Sequence, residues 1–133
     1  MNSKTLKYFI AFLVIFFIDS QLFAFQKGIP QEIAKSIRLG NSEMLSSFFG
    51  NVITLNILGS NNYYSKRQAK EIISNFFESN IPESFTIISQ REGNNSTYIV
   101  GHYNSNNRVY RISYQMFAYN NLLQINRFEI EKI

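Results

Sequence analysis

The fold is decided by residues 65–77, which read SKRQAKEIISNFF. Ser65 with Gln68 three residues later forms a capping box, in which each side chain bonds the other residue's backbone N–H at the start of a helix. Apolar residues then recur at spacings of three and four: Ala69, Ile72, Ile73, Phe76 and Phe77. This pattern predicts an amphipathic helix that ends near Asn80, before Pro82, and packs one face on a larger apolar layer.

The chain beyond Pro82 has no helical period and predicts four strands, at residues 85–91, 97–103, 109–119 and 122–131. Turns rich in Asn and Gly separate them. A two-residue Asn120-Asn121 loop suits a tight hairpin, because Asn tolerates positive φ. The segments therefore predict an antiparallel meander.

The last predicted strand changes its inward face partway along. Leu123 and Ile125 share one parity, whereas Phe128 and Ile130 share the other. Because side chains alternate along a strand, this switch predicts a β-bulge near Asn126-Arg127. The result is a long, bent sheet with helices on one face.

The residues before the capping box predict two helices and one strand. Pro30 suits the first turn of a helix that Gly40 terminates. Asn41 is predicted to cap a second, short helix with an apolar side formed by Met44, Leu45, Phe48 and Phe49. Residues 52–58 are rich in β-branched side chains and alternate, so they predict a strand, and residues 59–62 predict a loop.

The first 24 residues predict a secretory signal peptide. Lys4 and Lys7 precede an apolar run at residues 8–18, which is shorter than the roughly 20 residues that a membrane-spanning helix needs. Cleavage is predicted after Ala24, with an uncleaved N-terminal anchor as the alternative. We therefore expect export to the periplasm or the exterior, a single domain over residues 25–133, and no membrane association after signal removal.

Composition excludes several chemistries. The 133 residues include no Cys, one His and a single Asp, Asp19, which lies in the predicted signal peptide. The absence of Cys removes disulfides, thiolate zinc sites and cysteine nucleophiles. With one His and scattered Glu residues, we expect neither a metal site nor a cofactor. A hydrophobic content of 45% predicts a packed core.

The order of these elements is similar to the nuclear-transport-factor-2-like cone, also called the cystatin-like fold. More narrowly, the chain resembles a family of small exported domains of unknown function, known mainly from Bacteroidetes. The stretches that carry this resemblance are Ile29-Pro30, Ile33-Ala34, Gly40-Asn41, Leu45, Phe48-Phe49, residues 64–69, Phe76-Phe77, residues 85–90 and residues 125–131. The resemblance implies an α+β fold, a cone-shaped roll with N-terminal helices packed on a bent antiparallel sheet. It supplies no catalytic residues.

The predicted hairpin places a mixed polar face on the last two strands. If Asn120-Asn121 is the turn, Phe117 faces Gln124 and Gln115 faces Asn126. We predict a candidate binding surface that consists of His102, Arg111, Ser113, Gln115, Phe117, Gln124 and Asn126. An open polar sheet face that binds nothing is the alternative. The predicted core side holds Ile112, Tyr114, Met116 and Ala118, opposite Leu123 and Ile125.

Basic residues also alternate with aromatic ones in the predicted sheet: Arg108, Arg111 and Arg127 with Tyr103, Tyr110 and Tyr114. Such interleaving can bind nucleic acid. The net charge of +4 is low for that role, and export removes most nucleic-acid partners, so we expect none. We expect instead a sheet rim with packed side-chain stems and solvated tips.

These observations predict a non-enzymatic exported domain that binds a small molecule, a peptide or a protein through the sheet surface or the mouth of the cone. Two alternatives stay open. One is a small lyase or isomerase-like enzyme that uses His102 or a buried Glu, with Glu129 as the residue to inspect. The other is a structural homodimer formed through the open sheet.

Overall fold

The computed structural model describes residues 2–14 and 29–133 in full, and residues 15–28 only as part of a helix. The chain divides into two compact units, Met1–Gln31 and Glu32–Ile133. Helix α1 comprises Ser3–Leu39. No helix in the described part of the chain is long and apolar enough to span a membrane. The predicted cleavage site after Ala24 lies outside the fully described residues.

The second unit contains two further helices and six strands. The helices are α2 (Ser42–Ser46) and α3 (Lys66–Ser79). The strands are β1 (Phe49–Ile57), β2 (Ser60–Ser65), β3 (Ser84–Gly93), β4 (Ser96–Ser105), β5 (Arg108–Tyr119) and β6 (Leu122–Lys132). They form one sheet in the order β2-β1-β6-β5-β4-β3. The predicted α+β class and the four-strand meander are confirmed.

The capping box at the start of α3 is present as predicted. Ser65 Oγ accepts a hydrogen bond from the Gln68 backbone N–H at 3.2 Å, and Gln68 Oε1 accepts one from the Ser65 N–H at 3.1 Å. The buried side of α3 consists of Ala69, Ile73, Phe76 and Phe77. Phe76 packs edge-on against Tyr110 of β5, with the ring centroids 5.1 Å apart. The apolar stripe of α3 therefore packs on the inner face of the sheet, against Tyr103 of β4 as well as Tyr110 of β5, although Ile72 stays half-exposed.

Asn80 fastens the end of α3 to the sheet. Tyr110 donates its hydroxyl to Asn80 Oδ1 at 2.8 Å, and the Tyr103 hydroxyl donates to the Asn80 carbonyl. The Asn80 amide in turn donates to the Phe76 carbonyl at 3.1 Å. A single C-capping residue thus joins the helix end to two neighbouring strands.

The predicted bulge in β6 is confirmed. Met116 pairs with Ile125, whereas the preceding Gln115 pairs with Arg127, which leaves Asn126 as the extra residue. The expectation that Gln115 faces Asn126 is therefore wrong by one position. Asn126 is itself the bulged residue, so Gln115 faces Arg127 instead.

Four other expectations are corrected. Pro30 lies inside α1 rather than in a first turn. The predicted second helix stops at Ser46, and Phe49 already belongs to β1. The predicted loop at residues 59–62 falls largely within β2, a polar edge strand whose Asn and Ser residues gave no strand signal. The sheet also includes one parallel pair, β1 with β6, which joins segments too far apart in sequence for local pattern to reveal.

Candidate functional site

The inner face of the sheet, which the helices cover, is filled by side chains. Tyr103, Tyr114, Phe49 and Phe128 are among its largest fully buried groups. Burial raises the pKa of Tyr103 and of Tyr114 well above the ordinary value for a phenol. The Tyr114 hydroxyl has no hydrogen-bond partner among the described residues. The Tyr103 and Tyr114 phenols of this layer therefore stay neutral at ordinary pH.

The groups that the enzyme alternative requires lie on the opposite face. His102 pairs with Arg111 across β4 and β5 and is half-buried. Glu129 pairs with Ser113 across β5 and β6. Since Ile112 and Tyr114 point inward, their neighbours Arg111 and Ser113 point outward, and His102 and Glu129 point outward with them. Neither group points into the filled layer.

We call this second side of the sheet the outer face. It consists of alternate residues of every strand: Asn61 and Tyr63 (β2), Val52, Thr54 and Asn56 (β1), Leu122, Gln124, Arg127, Glu129 and Glu131 (β6), Arg111, Ser113, Gln115, Phe117 and Tyr119 (β5), Ser96, Tyr98, Val100 and His102 (β4), and Thr86, Ser89 and Arg91 (β3). Because the bulge adds one residue to β6, Gln124 before Asn126 and Arg127 after it both lie on the outer face.

The structure brings six of the seven predicted site residues onto this face. Arg111, Ser113, Gln115 and Phe117 alternate along β5, with His102 beside Arg111 and Gln124 beside Phe117. Asn126 is the bulge residue and stands outside the paired rows. Ser113 is only 4% exposed, so it contributes little surface. Whether these residues bind a ligand remains a prediction.

One row crosses the whole outer face. It runs from Tyr63 through Thr54, Arg127, Gln115 and Tyr98 to Arg91. Arg127 lies two strands from Tyr63 and two strands from Tyr98 in this row. Tyr63 is 78% exposed and Tyr98 is 38% exposed. Two aromatic side chains thus flank a central cation.

Two ion pairs lie in the same region. Arg127 donates to Glu129, and Arg111 donates to Glu131 at 3.2 Å. The hydrogen bond and the attraction of Glu129 raise the pKa of the Arg127 guanidinium further. The Glu129 side chain is only 14% exposed, whereas those of Arg111 and Arg127 are about half exposed. The guanidinium groups therefore remain accessible to a partner.

Exposed apolar side chains extend the outer face toward the β5–β6 turn. Phe117, Tyr119 and Leu122 are all exposed there, and Val52 is exposed on β1. The turn residues Asn120 and Asn121 both have positive φ, 48° and 63°, as a tight hairpin requires. The predicted hairpin turn is confirmed.

The expected rim of interleaved Arg and Tyr is wrong. Tyr103, Tyr110 and Tyr114 lie on the inner face and are at most 4% exposed, whereas Arg111 and Arg127 lie on the outer face. Although these Arg and Tyr residues alternate in the sequence, they lie on opposite faces of the sheet.

A groove of about 310 Å³ lies between α2 and α3. Its lining residues are Glu43, Ser46, Ser47, Lys66, Arg67 and Lys70. Lys70 is already paired with Glu43 at 2.9 Å, and the two serine hydroxyls donate to main-chain carbonyls of their own helix. Within the described residues, no three His, Asp or Glu side chains converge as metal ligands. The outer face is therefore the stronger candidate surface.

Sequence reasoning missed Tyr63, Tyr98 and Arg91. The sequence does offer a signal for Tyr98. It lies four residues before His102 in the same predicted strand, so the two side chains share a face. Arg91 could not be placed, because the β3–β4 register shifts between Ile87 and Ser89. Tyr63 follows the stretch that was predicted as a loop.

Comparison with known proteins adds a family and a fold. The family model described as "Domain of unknown function (DUF4783)" matches residues 30–131. A DUF4783 family protein from Bacteroides uniformis has a similar structure, with a TM-score of 0.75 and 23% identity over 79% of this chain and 97% of that chain. A second, from Bacteroides fragilis, gives a TM-score of 0.73 and 24% identity over 77% and 96%.

The wider fold is nuclear-transport-factor-2-like, abbreviated NTF2-like. An NTF2-like protein of unknown function from Silicibacter pomeroyi gives a TM-score of 0.61 at 8% identity, over 86% of this chain and 98% of that chain. No curated protein matches this chain. The family and the fold implied by the resemblance are thus confirmed.

Proposed function

This chain belongs to the DUF4783 family and has an NTF2-like fold, and from that premise we propose that it is an exported, non-enzymatic domain that binds a protein partner on its outer face. The proposal narrows the ligand classes considered from sequence, a small molecule, a peptide or a protein, to a protein. It also selects the sheet surface over the mouth of the cone.

The observation that carries the proposal is the composition of the outer face. Its cations are all arginines, Arg91, Arg111 and Arg127, whereas the lysines of Glu32–Ile133 lie on helices or at the end of β6. Protein interfaces are enriched in Tyr, Phe and Arg and depleted in Lys. Tyrosine buries a large area for few rotatable bonds, and arginine stacks and donates in a fixed geometry. The outer face carries both types beside exposed apolar groups.

The shape of the face also supports a protein partner. The row from Tyr63 to Arg91 crosses all six strands, which at a strand spacing of roughly 5 Å gives a span of roughly 24 Å. A small molecule is usually held in a concave pocket that surrounds it. An open face of this length suits a macromolecular surface.

Export is the part of the proposal that rests on the N-terminal sequence alone. Lys4 and Lys7 followed by the apolar run at residues 8–18 have the organisation of a signal peptide. Mass spectrometry of the protein recovered from the cell envelope should find a mature chain that begins at Phe25. A chain that keeps its first residue would favour the anchored alternative.

Site-specific photocrosslinking tests the binding face. We would introduce benzoylphenylalanine at Tyr98 on the outer face, and as the matched control at Glu78, an exposed residue of α3, in the bacterium that makes the protein. Irradiation should give one discrete protein adduct from position 98 and none from position 78. An adduct with the mass of two chains would support the homodimer alternative instead. Equal adducts from both positions, or none from position 98, would contradict the proposal.

A further inference from the structure

Charge is distributed unevenly over the outer face. Both of its carboxylates, Glu129 and Glu131, lie on β6. The half formed by β3, β4 and β5 carries Arg91 and Arg111 and has no carboxylate of its own. The neighbouring Glu92 belongs to the opposite face, since it follows Arg91 in the strand and pairs with Thr97. One half of the face is therefore electropositive.

Arg91 is the arginine of this face that has no acidic partner within the described residues. The other two are satisfied by β6, through the pairs of Arg111 with Glu131 and Arg127 with Glu129. Arg91 stands on the edge strand directly opposite Tyr98. Arginine and tyrosine are among the residue types that contribute most to binding energy in protein interfaces.

We infer that the partner presents a carboxylate-bearing surface to the β3–β5 half of the outer face, where Arg91 beside Tyr98 receives one of its carboxylates. The inference rests on the proposed function and assigns the partner's chemistry and its orientation. A partner placed the other way round would bring its carboxylates beside Glu129 and Glu131, which Arg127 and Arg111 already pair, and would leave Arg91 without an acidic partner. The uneven charge thus selects one orientation.

The test uses the photocrosslinker at Phe117, which leaves Arg91 and Tyr98 intact. Arg91→Glu should lower the adduct yield at least about tenfold, because it places a negative charge against the partner's carboxylate. Arg91→Lys should lower it less, because lysine keeps the charge and loses only the forked geometry. Lys35→Glu, an equal charge reversal on the exposed side of α1, should leave the yield unchanged. Circular dichroism confirms that each variant is folded.

The outcomes separate the inference from the function that it rests on. A protein adduct that forms equally well with Arg91→Glu overturns the acidic partner and leaves the protein-binding function standing. No adduct from any outer-face position overturns the function itself. An adduct that nuclease treatment removes would identify a nucleic acid, and one that contains only this chain would identify a second copy. Either of those results overturns the inference.

Discussion

Gly101 allows the ring of Phe85 to cross the inner face of β4. A Cβ added at Gly101 would lie 2.5 Å from Phe85 Cζ and 2.9 Å from the Thr86 carbonyl oxygen. Phe85 is 2% exposed, and its carbonyl accepts a hydrogen bond from Arg38 Nε at 3.0 Å. Because the ring is held between buried neighbours and the backbone is fixed by pairing, neither can move away cheaply.

We predict that Gly101→Ala lowers the free energy of unfolding by about 1–3 kcal/mol, the usual cost of overpacking a core. The matched control is Gly50→Ala in β1, where the nearest atom to the added Cβ would lie at 3.4 Å. Urea unfolding followed by circular dichroism measures both variants. Equal stabilities for the two would show that the Phe85 ring is not confined by β4.

At two points, the end of α3 and the bulge of β6, a signal in the local sequence coincides with a long-range contact in the fold. The end of α3 is bound to the sheet through Asn80, and the bulge at Asn126 lets β6 keep Ile125 and Phe128 on the same inner face. Both features have local signals, a helix stop before Pro82 and a switch of apolar parity. Sequence therefore predicted their existence, although the tyrosines that contact Asn80 come from strands that only the tertiary fold brings near.

A double-mutant cycle tests the junction at Asn80. Tyr110→Phe and Asn80→Ala should each lower the stability, and their coupling should be about 1 kcal/mol, the net value of one hydrogen bond. The control pair is Tyr110→Phe with Ser65→Ala: Tyr110 of β5 contacts the end of α3 and Ser65 caps its start, so their effects should add without coupling. A coupling near zero for Tyr110 with Asn80 would mean that this hydrogen bond does not hold the helix end.

Deletion of Asn126 tests the bulge. Without the extra residue, Phe128 and Ile130 would turn to the outer face, and Arg127 and Glu129 would turn into the apolar layer. We expect the deletion variant to lose cooperative thermal unfolding, whereas Asn126→Ala should stay within about 1 kcal/mol of the parent protein. A deletion variant that unfolds cooperatively at the parent temperature would show that β6 needs no bulge.

At high pH the stability of the folded protein depends on its two buried phenols, Tyr103 and Tyr114. Burial raises the pKa of Tyr103 and Tyr114 in the folded state, whereas in the unfolded chain a tyrosine titrates near pH 10. Their contribution to stability is therefore fully present below about pH 10 and is lost as the pH rises above it, because only the unfolded chain releases these protons.

We expect the melting temperature to fall steadily between about pH 10 and pH 12. Tyr114→Phe should have a shallower fall, because it removes one of the two phenols, and the difference between the two slopes separates this effect from lysine titration. Differential scanning calorimetry across that range measures both proteins. Parallel slopes would mean that the Tyr114 phenol ionises as readily in the folded protein as in the unfolded chain.

At this scale the limits of sequence reasoning have a physical cause. Patterns of period two and period 3.6 reveal which side of an element is buried, so Ile112, Met116 and most of the apolar stripe of α3 were assigned correctly, whereas Ile72 is half-exposed and Ala118 is exposed. The parallel pairing of β1 with β6 and the row from Tyr63 to Arg91 depend on contacts between distant segments. The candidate face was therefore predicted on β5 and β6 with His102 of β4, and its extension to β1, β2 and β3 was missed.

The central claim is that the outer face is covered in the cell, and hydroxyl-radical footprinting measures this directly. Oxidation of Tyr63 and Tyr98 should fall at least about fivefold in intact cells relative to the dilute purified protein, because a bound surface excludes water from interface side chains. Leu39 and Ile81, which are exposed away from that face at 61% and 71%, should react equally in both samples. If the two tyrosines are oxidised as fast in cells as in solution, the outer face is open and the account is contradicted.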